Sequence, residues 1–341
     1  MPANLTPQYL AAEQAFKQAK TVEEKIAALE EMLAVIPKHK GTEKLQADIK
    51  TRLSRLRSEA ERRPRGARQD PFLIPKEGAG QVVLIGFPNS GKSSIVGTLT
   101  RAKVTIADYP FSTSLPVAGM MPYEDIMIQL VDMPPITSDG AMPGQAGAMR
   151  NSDAMLIVLD ASSDDCVDQM EGCLGFMRER RILMEERIEG VRGITPDQCL
   201  IAVTKVDLPR EFSLDERLDI SFSSPALDNF RILEELGPRN IKMIPVSCKT
   251  GFNIELLRTW IFRVLGIIRI YSKIPGKEPD MDAPFILKDG ATVIDMAAAV
   301  HRDFPQRLKH ARIWGSARFP GQSVPRDYVL KDKDIVELHL A

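Results

Sequence analysis

Over roughly the first 60 residues, apolar positions return at helical spacing. Thr6 and Pro7 have the form of a cap followed by proline in the first turn, and Thr21 with Glu24 makes a capping box. Ile26, Leu29, Leu33 and Ile36 then share one face, the segment from Pro37 to Gly41 breaks the pattern, and Leu45, Ile49, Leu53 and Leu56 form a further stripe. From residue 81 the pattern changes. Short β-branched runs at 82–85, 127–131, 154–160, 200–204 and 243–246 alternate with helical stretches as far as Gly266, which predicts a doubly wound, mostly parallel α/β sheet. Beyond Gly266, strands are predicted at 267–273, 285–287, 311–314 and 335–340, with a helix from 293 to about 301 capped by Thr292. Pro275, Gly276, Pro279 and Pro284 make the connector rich in turns. The chain therefore divides into a helical arm with a linker (1–70), an α/β domain (78–266) and a small mixed α+β domain (267–341).

Composition narrows the partners. Lys and Arg number 45 against 46 Asp and Glu in 341 residues, so no global field draws the chain to nucleic acid or anionic lipid. Any such contact must come from a local patch. One candidate is the arginine-rich face of the arm (Arg52, Arg55, Arg57) running into Arg62, Arg63, Arg65 and Arg68, which reads either as a solvated face and linker or as a contact for RNA phosphates. The four cysteines (Cys166, Cys173, Cys199, Cys248) show no metal-binding spacing and read as reduced, mostly buried thiols. Neither a leader-like start nor a bilayer-length apolar run is visible, so a cytoplasmic protein without membrane contact is expected.

The chemistry concentrates at the ends of the predicted α/β strands, where such folds place ligands. After the first strand, Gly86, Gly91, Lys92 and Ser93 occupy the fixed places of G-x-x-x-x-G-K-[ST]. Backbone N–H groups close around an anion only where no side chain blocks them, and a following helix N-terminus adds a favourable dipole. Lys92 is expected to reach the β- and γ-phosphates, and the Ser93 hydroxyl to hold Mg²⁺. Thr113, in the loop Asp108–Thr113, offers a second hydroxyl to the metal, and Asp132 at the end of the strand 127–131 offers a carboxylate.

The fourth and fifth strands carry base recognition. In Thr204-Lys205-Val206-Asp207, the Asp207 carboxylate is able to accept from guanine N1–H and its 2-amino group, a donor pair that adenine lacks. The stem of Lys205 is placed to lie along the base plane, and Ser247, Cys248 and Lys249 to present backbone N–H groups to the base carbonyl. The small C-terminal domain has no carboxylate pair, nucleophile constellation or metal spacing. His301, His310 and His339 are scattered in it and read as surface or packing residues, so this domain is expected to bind rather than to react.

In order, the segments GFPNSGKS, DYPFST, DMPP, TKVD and SCKTG resemble the Obg-type GTPases, and within them the developmentally regulated GTP-binding (DRG) proteins and their prokaryotic relatives. The stretches IYSKIPGKEPD, ARIWG and DYVLKDKDIVELH resemble a TGS domain, a β-grasp module associated with ribosome or RNA contact. The resemblance spans nearly the whole chain. It implies a P-loop NTPase fold, with Gly86, Pro88, Asn89, Ser90, Gly91, Lys92, Ser93 and Ser94 around the phosphates. It also implies Ser93, Thr113 and Asp132 at Mg²⁺, with Asp132 acting through water, and Thr204, Lys205 and Asp207 at guanine. Asn89 matches the asparagine with which potassium-stimulated members hold K⁺ against the phosphates.

Some positions depart from that pattern. Pro135 replaces the glycine of D-x-x-G, whose amide senses the γ-phosphate, and proline has no N–H. Thr204 replaces the asparagine of N-K-x-D. Ile136 is no departure: it stands where Ras-like proteins carry a water-positioning glutamine, but Obg-type proteins also have a hydrophobic residue there, which implies a different route to hydrolysis. The segment between Asp160 and Thr204 is short for the insertion of DRG proteins. The leading expectation is a slow Mg²⁺-dependent GTPase with Lys92, Thr113 and Asp132 at the reacting phosphate. Its arm and TGS-like domain would meet RNA, the ribosome or a dedicated protein partner. The alternative is a nucleotide-binding scaffold that does not hydrolyse GTP. An ATP-using enzyme of the same loop class is disfavoured by Asp207.

Overall fold

The computed structural model describes residues 9, 12–14, 16, 22–36, 42–62, 72–100, 115–136, 144–187, 190–207 and 224–340. The chain divides into two compact units, Met1–Asp70 and Pro71–Ala341. In the first, helices α1 (Val22–Val35) and α2 (Glu43–Arg62) pack through Leu29, Met32, Ile36, Ile49 and Leu53, joined by Tyr9 and Ala12. Met32 is buried where the sequence put Leu33, which is only partly covered. Arg52 is exposed and paired with Asp48 one turn earlier. Thr6, Pro7, Thr21 and the arginine side chains from 55 to 68 lie outside the described residues.

The second unit holds two sheets. The first contains β1 (Gln81–Ile85), β2 (Val117–Tyr123), β3 (Ile126–Asp132), β4 (Ala154–Asp160), β5 (Cys199–Thr204) and β6 (Lys242–Pro245). Their order is β2-β3-β1-β4-β5-β6, parallel except for β2, which runs antiparallel to β3. Because side chains alternate along a strand, each central strand feeds two cores. Val83, Ile85, Ile157, Leu159, Ile201 and Val203 meet the helices α4 (Gln145–Asn151), α5 (Cys166–Glu179) and α6 (Pro225–Leu236). Val82, Leu84, Leu156, Val158, Leu200 and Ala202 meet α3 (Lys92–Leu99) and α7 (Ile254–Val264). Strands buried on both faces explain the unbroken apolar runs.

β2 was not legible in the sequence. It reads VAGMMPY, with glycine and proline inside it, which argues against a strand. Both are tolerated because β2 is the edge of its sheet. A Cβ at Gly119 would come within 2.8 Å of Thr100 Cγ2, so glycine there lets the edge close on the end of α3.

The second sheet contains β7 (Ile267–Ser272), β8 (Phe285–Lys288), β9 (Leu308–Trp314), β10 (Gln322–Val324) and β11 (Asp334–Leu340) in the order β10-β9-β11-β7-β8. The first and last strands, β7 and β11, lie side by side and parallel, while the other pairs are antiparallel. One face is covered by α8 (Val293–Val300), which packs Val293, Met296 and Ala297 against Ile268, Ile270, Ala311 and Ile313. Thr292 starts this helix in a reciprocal capping box with Asp295. This is a β-grasp arrangement. Among the described residues the cysteines are free, and no helix is long and apolar enough to cross a membrane.

Candidate functional site

The carboxyl ends of β1, β3, β4, β5 and β6 bring the sequence motifs into one cleft. The turn from β1 into α3 is tight at Gly86, where a Cβ would sit 2.4 Å from the Val158 carbonyl oxygen, so no side chain fits. Asn89 adopts a left-handed backbone (φ 59°) and Gly91 another (φ 96°), which fold the loop back around the Lys92 ammonium. Pro88, Asn89, Ser93 and Ser94 are exposed on the rim of the loop, and Ser90 is buried beneath it.

Lys92 is only 7 % exposed. Its ammonium donates to the Gly86 carbonyl (3.0 Å), the Phe87 carbonyl (2.9 Å) and Ser90 Oγ (3.4 Å). Burial lowers its pKa, while the charge of Asp132 and the neighbouring Cys173 act in the opposite direction. Ser93 Oγ donates to Asp132 Oδ2 at 2.5 Å. The other oxygen, Asp132 Oδ1, is buried without a hydrogen-bond partner. Burial raises the Asp132 pKa against the opposing influences of Ser93 and Lys92. A hydroxyl and a carboxylate in contact, with one carboxylate oxygen unsatisfied, form a donor set suited to a hard, oxygen-seeking cation such as Mg²⁺. Thr113 lies outside the described residues.

The loop after Asp132 is held on both sides of Pro135. The fully buried Gln145 donates from Nε2 to the Pro134 carbonyl at 2.7 Å, and the Ile136 N–H donates to the Gly86 carbonyl at 3.1 Å. Met133 and Ile136 are buried in the core below. Sequence reasoning missed Gln145, because a glutamine after an ordinary glycine carries no signal until the fold sets it beside Pro134.

At the far side of the cleft, Thr204 Oγ1 lies 2.7 Å from the Ser90 carbonyl and 3.0 Å from the Leu159 carbonyl, placed to donate to either. Its side chain is 3.2 Å from where a Cβ on Gly91 would be, so it braces the phosphate loop from beneath. Lys205, left-handed at φ 62°, pairs with Asp160 at the end of β4. Burial works to raise the Asp160 pKa, but hydrogen bonds from Lys205 and Ser162 prevail and lower it. Asp160 was not singled out in the sequence, although a carboxylate ending the neighbouring strand was the available signal. Asp207 Oδ1 accepts from Ser247 Oγ at 2.6 Å, and Oδ2 meets Lys249 Nζ at 3.3 Å. Ser247 also accepts from the Thr250 N–H, so the loops after β5 and β6 are joined through it. Cys248 is half-buried between them.

Residues 81–187 match the family described as 50S ribosome-binding GTPase, and residues 268–340 match the TGS domain. An uncharacterised GTP-binding protein of Methanocaldococcus jannaschii is 31 % identical over 366 aligned positions, covering 93 % of this chain and 92 % of its own. Developmentally regulated G-protein 2 of Arabidopsis thaliana is 28 % identical, with 92 % and 90 % covered. GTP-binding protein 1 of Schizosaccharomyces pombe is 26 % identical, with 92 % and 98 % covered.

Proposed function

From the premise that the chain belongs to the family of developmentally regulated GTP-binding proteins, we propose that it hydrolyses GTP slowly with Mg²⁺, as a switch that meets RNA or the ribosome. The observation that carries this reading is the convergence of Lys92, Ser93 and the unsatisfied Asp132 Oδ1 at the mouth of the phosphate loop. In this reading Lys92 and the loop N–H groups hold the negative charge of the transferring phosphoryl group. Ser93, Asp132 and Thr113 hold Mg²⁺, which neutralises phosphate charge when bound. Thr204 keeps the phosphate loop in register with β5, and Asp207 takes the guanine edge with Lys205 along the ring plane. Asn89, exposed and left-handed, is the residue to which this reading gives K⁺. The arm and the TGS domain are the surfaces assigned to RNA, the ribosome or a protein partner.

The base assignment has its own test. Asp207→Ala should weaken GTP and GDP binding by about a hundredfold or more, because the guanine N1–H and 2-amino donors then lose a charged acceptor. ATP binding, measured in the same titration, should change little. An equal loss for ATP would remove Asp207 from base recognition.

A second reading, a nucleotide-binding scaffold without turnover, is favoured by the loop around Pro135. Proline offers no amide to a γ-phosphate, and the flanking groups are already engaged by Gln145 and Gly86. Single-turnover hydrolysis with parallel binding of GTP and GDP separates the two. The switch reading expects measurable cleavage, faster in KCl than in NaCl. Pro135→Gly should then increase the preference for GTP over GDP several-fold. Tight binding with no cleavage in wild type, restored by Pro135→Gly, would establish the scaffold instead.

A further inference from the structure

A lysine laid along a base is useful only if its flexible stem is held there, because ordering a free side chain at the moment of binding costs affinity. At the end of β5 that ordering is already in place. The ladder between β4 and β5 closes with Asp160 opposite Thr204, and the Ala161 N–H donates to the Thr204 carbonyl (3.1 Å). Lys205 then enters its left-handed turn (φ 62°) and directs its ammonium back across the strand end, where Nζ donates to Asp160 Oδ2. The ion pair therefore runs diagonally from β5 to β4, just beyond the last pair of the ladder. Thr204, the residue before Lys205, is tied to the phosphate loop at the Ser90 carbonyl, and Asp207, just after it, carries the carboxylate proposed for guanine.

The carboxylate that receives this ammonium is itself held from several sides. Its side chain is 12 % exposed, against 42 % for Lys205, so the fixed partner is Asp160 and the held one is the lysine. Oδ1 is taken by Ser162, which donates from its backbone N–H (2.9 Å) and from Oγ (2.7 Å). The Asp160 N–H donates to Gln169 Oε1 on α5 (3.4 Å), and the Asp160 carbonyl accepts from the Ser163 N–H (3.3 Å). Asn229 on α6 fastens the same turn, donating from Nδ2 to the Ala161 carbonyl at 2.9 Å. A carboxylate that served only to end a strand would be satisfied by the turn it caps. This one caps its turn with one oxygen and reaches the neighbouring strand with the other.

We infer that Asp160 is a positioning residue for base recognition: by fixing the Lys205 ammonium at the end of β4, it holds the lysine stem along the plane of the guanine ring before nucleotide arrives. The inference rests on the guanine reading above and adds to it a residue outside the motifs that carry that reading. Its test is equilibrium titration of the full chain with fluorescently labelled GDP, and with GTP as competitor. Asp160→Asn keeps an acceptor for Ser162 but ends the ion pair, so affinity for both nucleotides should fall about five- to tenfold. The sign matters, because removing a negative charge beside the cleft would by itself favour an anionic nucleotide. Asp160→Glu, which keeps the charge, should recover part of the loss. Lys205→Met should cost about as much as Asp160→Asn, and in that background Asp160→Asn should cost nothing further, since no ammonium is left to place. Should Asp160→Asn lower the thermal midpoint without nucleotide, Ser162→Ala asks the same question with the carboxylate intact. It should weaken binding about twofold, again with no effect beside Lys205→Met. Unchanged or tighter binding in Asp160→Asn would overturn the inference. So would an equal loss in the Lys205→Met background, which would make Asp160 a support of the β4 turn alone. Asp207→Ala distinguishes failure here from failure of the guanine reading. A loss confined to guanine nucleotides in Asp207→Ala, with Asp160→Asn silent, removes Asp160 alone, whereas an equal loss for ATP in Asp207→Ala removes both.

Discussion

Lys92→Ala should abolish GTP turnover, lowering the single-turnover rate about a hundredfold or more, which corresponds to about 3 kcal/mol. The size follows from where the ammonium sits. It is buried in a cage of two loop carbonyls and Ser90 Oγ, so its charge is held within the loop. In a shielded site that charge acts on a phosphate more strongly than it would in water. The caged ammonium also keeps the loop in shape, and its removal leaves the Gly86 and Phe87 carbonyls short of a donor. GDP affinity should therefore fall as well. Lys92→Arg should not rescue the rate, because a planar guanidinium does not fit a cage built for a compact ammonium. The thermal midpoint of each variant without nucleotide separates lost catalysis from lost folding. Hydrolysis unchanged in Lys92→Ala would assign the activity to another site and overturn the GTPase reading.

Much of this cleft was legible in the sequence because phosphate recognition imposes local demands. A loop that must offer bare N–H groups has to carry glycines at fixed positions. Gly86, where any side chain would strike the Val158 carbonyl, shows the demand in the fold. Asp132 and Asp207 were legible because strand ends in parallel sheets meet at one edge. What could not be read were contacts between segments remote in sequence. Gln145 finds Pro134 only after α4 has packed, and Asp160 finds Lys205 only because β4 and β5 are neighbours. β2 was hidden because an edge strand is excused the rules that make inner strands recognisable. The histidines were read as scattered, since His310 and His339 are distant in sequence and meet only through the antiparallel register of β9 and β11.

Arg269→Leu should destabilise the folded chain by about 3 kcal/mol or more. Arg269 is 1 % exposed, yet it lies where the two sheets meet. Its guanidinium donates to Asp332 Oδ2 (2.7 Å), Glu124 Oε2 (2.6 Å) and Asp125 Oδ1 (2.7 Å). It rests over Phe262 and Tyr123, themselves stacked at 4.6 Å. Leucine would fill part of the volume but leave Asp125 and Asp332 without their cation, and Glu124 with Lys333 alone. Arg269→Lys should retain only part of the stability, since one ammonium does not reproduce the fork. The double variant Arg269→Leu with Asp332→Asn should lose less than the sum of the single losses, because the second change removes a charge that the first stranded. Chemical denaturation gives all of these values, and additive losses would mean the cluster acts by packing alone.

The same cluster predicts the pH response. Hydrogen bonds from Lys333 and Arg269 lower the Glu124 pKa. At Asp125, burial acts to raise it, but the bonds from Tyr271 and Arg269 prevail and lower it. A carboxylate lowered in the fold contributes stability above its unfolded pKa, and that contribution is lost as pH falls through the folded value. Burial, with the bond to Asp125, pushes the Tyr271 hydroxyl up to about 12. Its contribution is complete below the unfolded pKa of about 10 and lost as pH rises through the folded one. Wild type should therefore weaken below about pH 4 and again above about pH 10. Arg269→Leu should flatten the acid limb, while Tyr271→Phe should flatten the alkaline limb. Because Glu124 and Asp125 form the turn between β2 and β3, and β3 ends in Asp132, the cluster ties the β-grasp sheet to the strand that ends in the carboxylate proposed for Mg²⁺. A partner that holds the β-grasp sheet thereby holds the base of the phosphate site, so Arg269→Leu should also uncouple any effect of such a partner on GTP turnover.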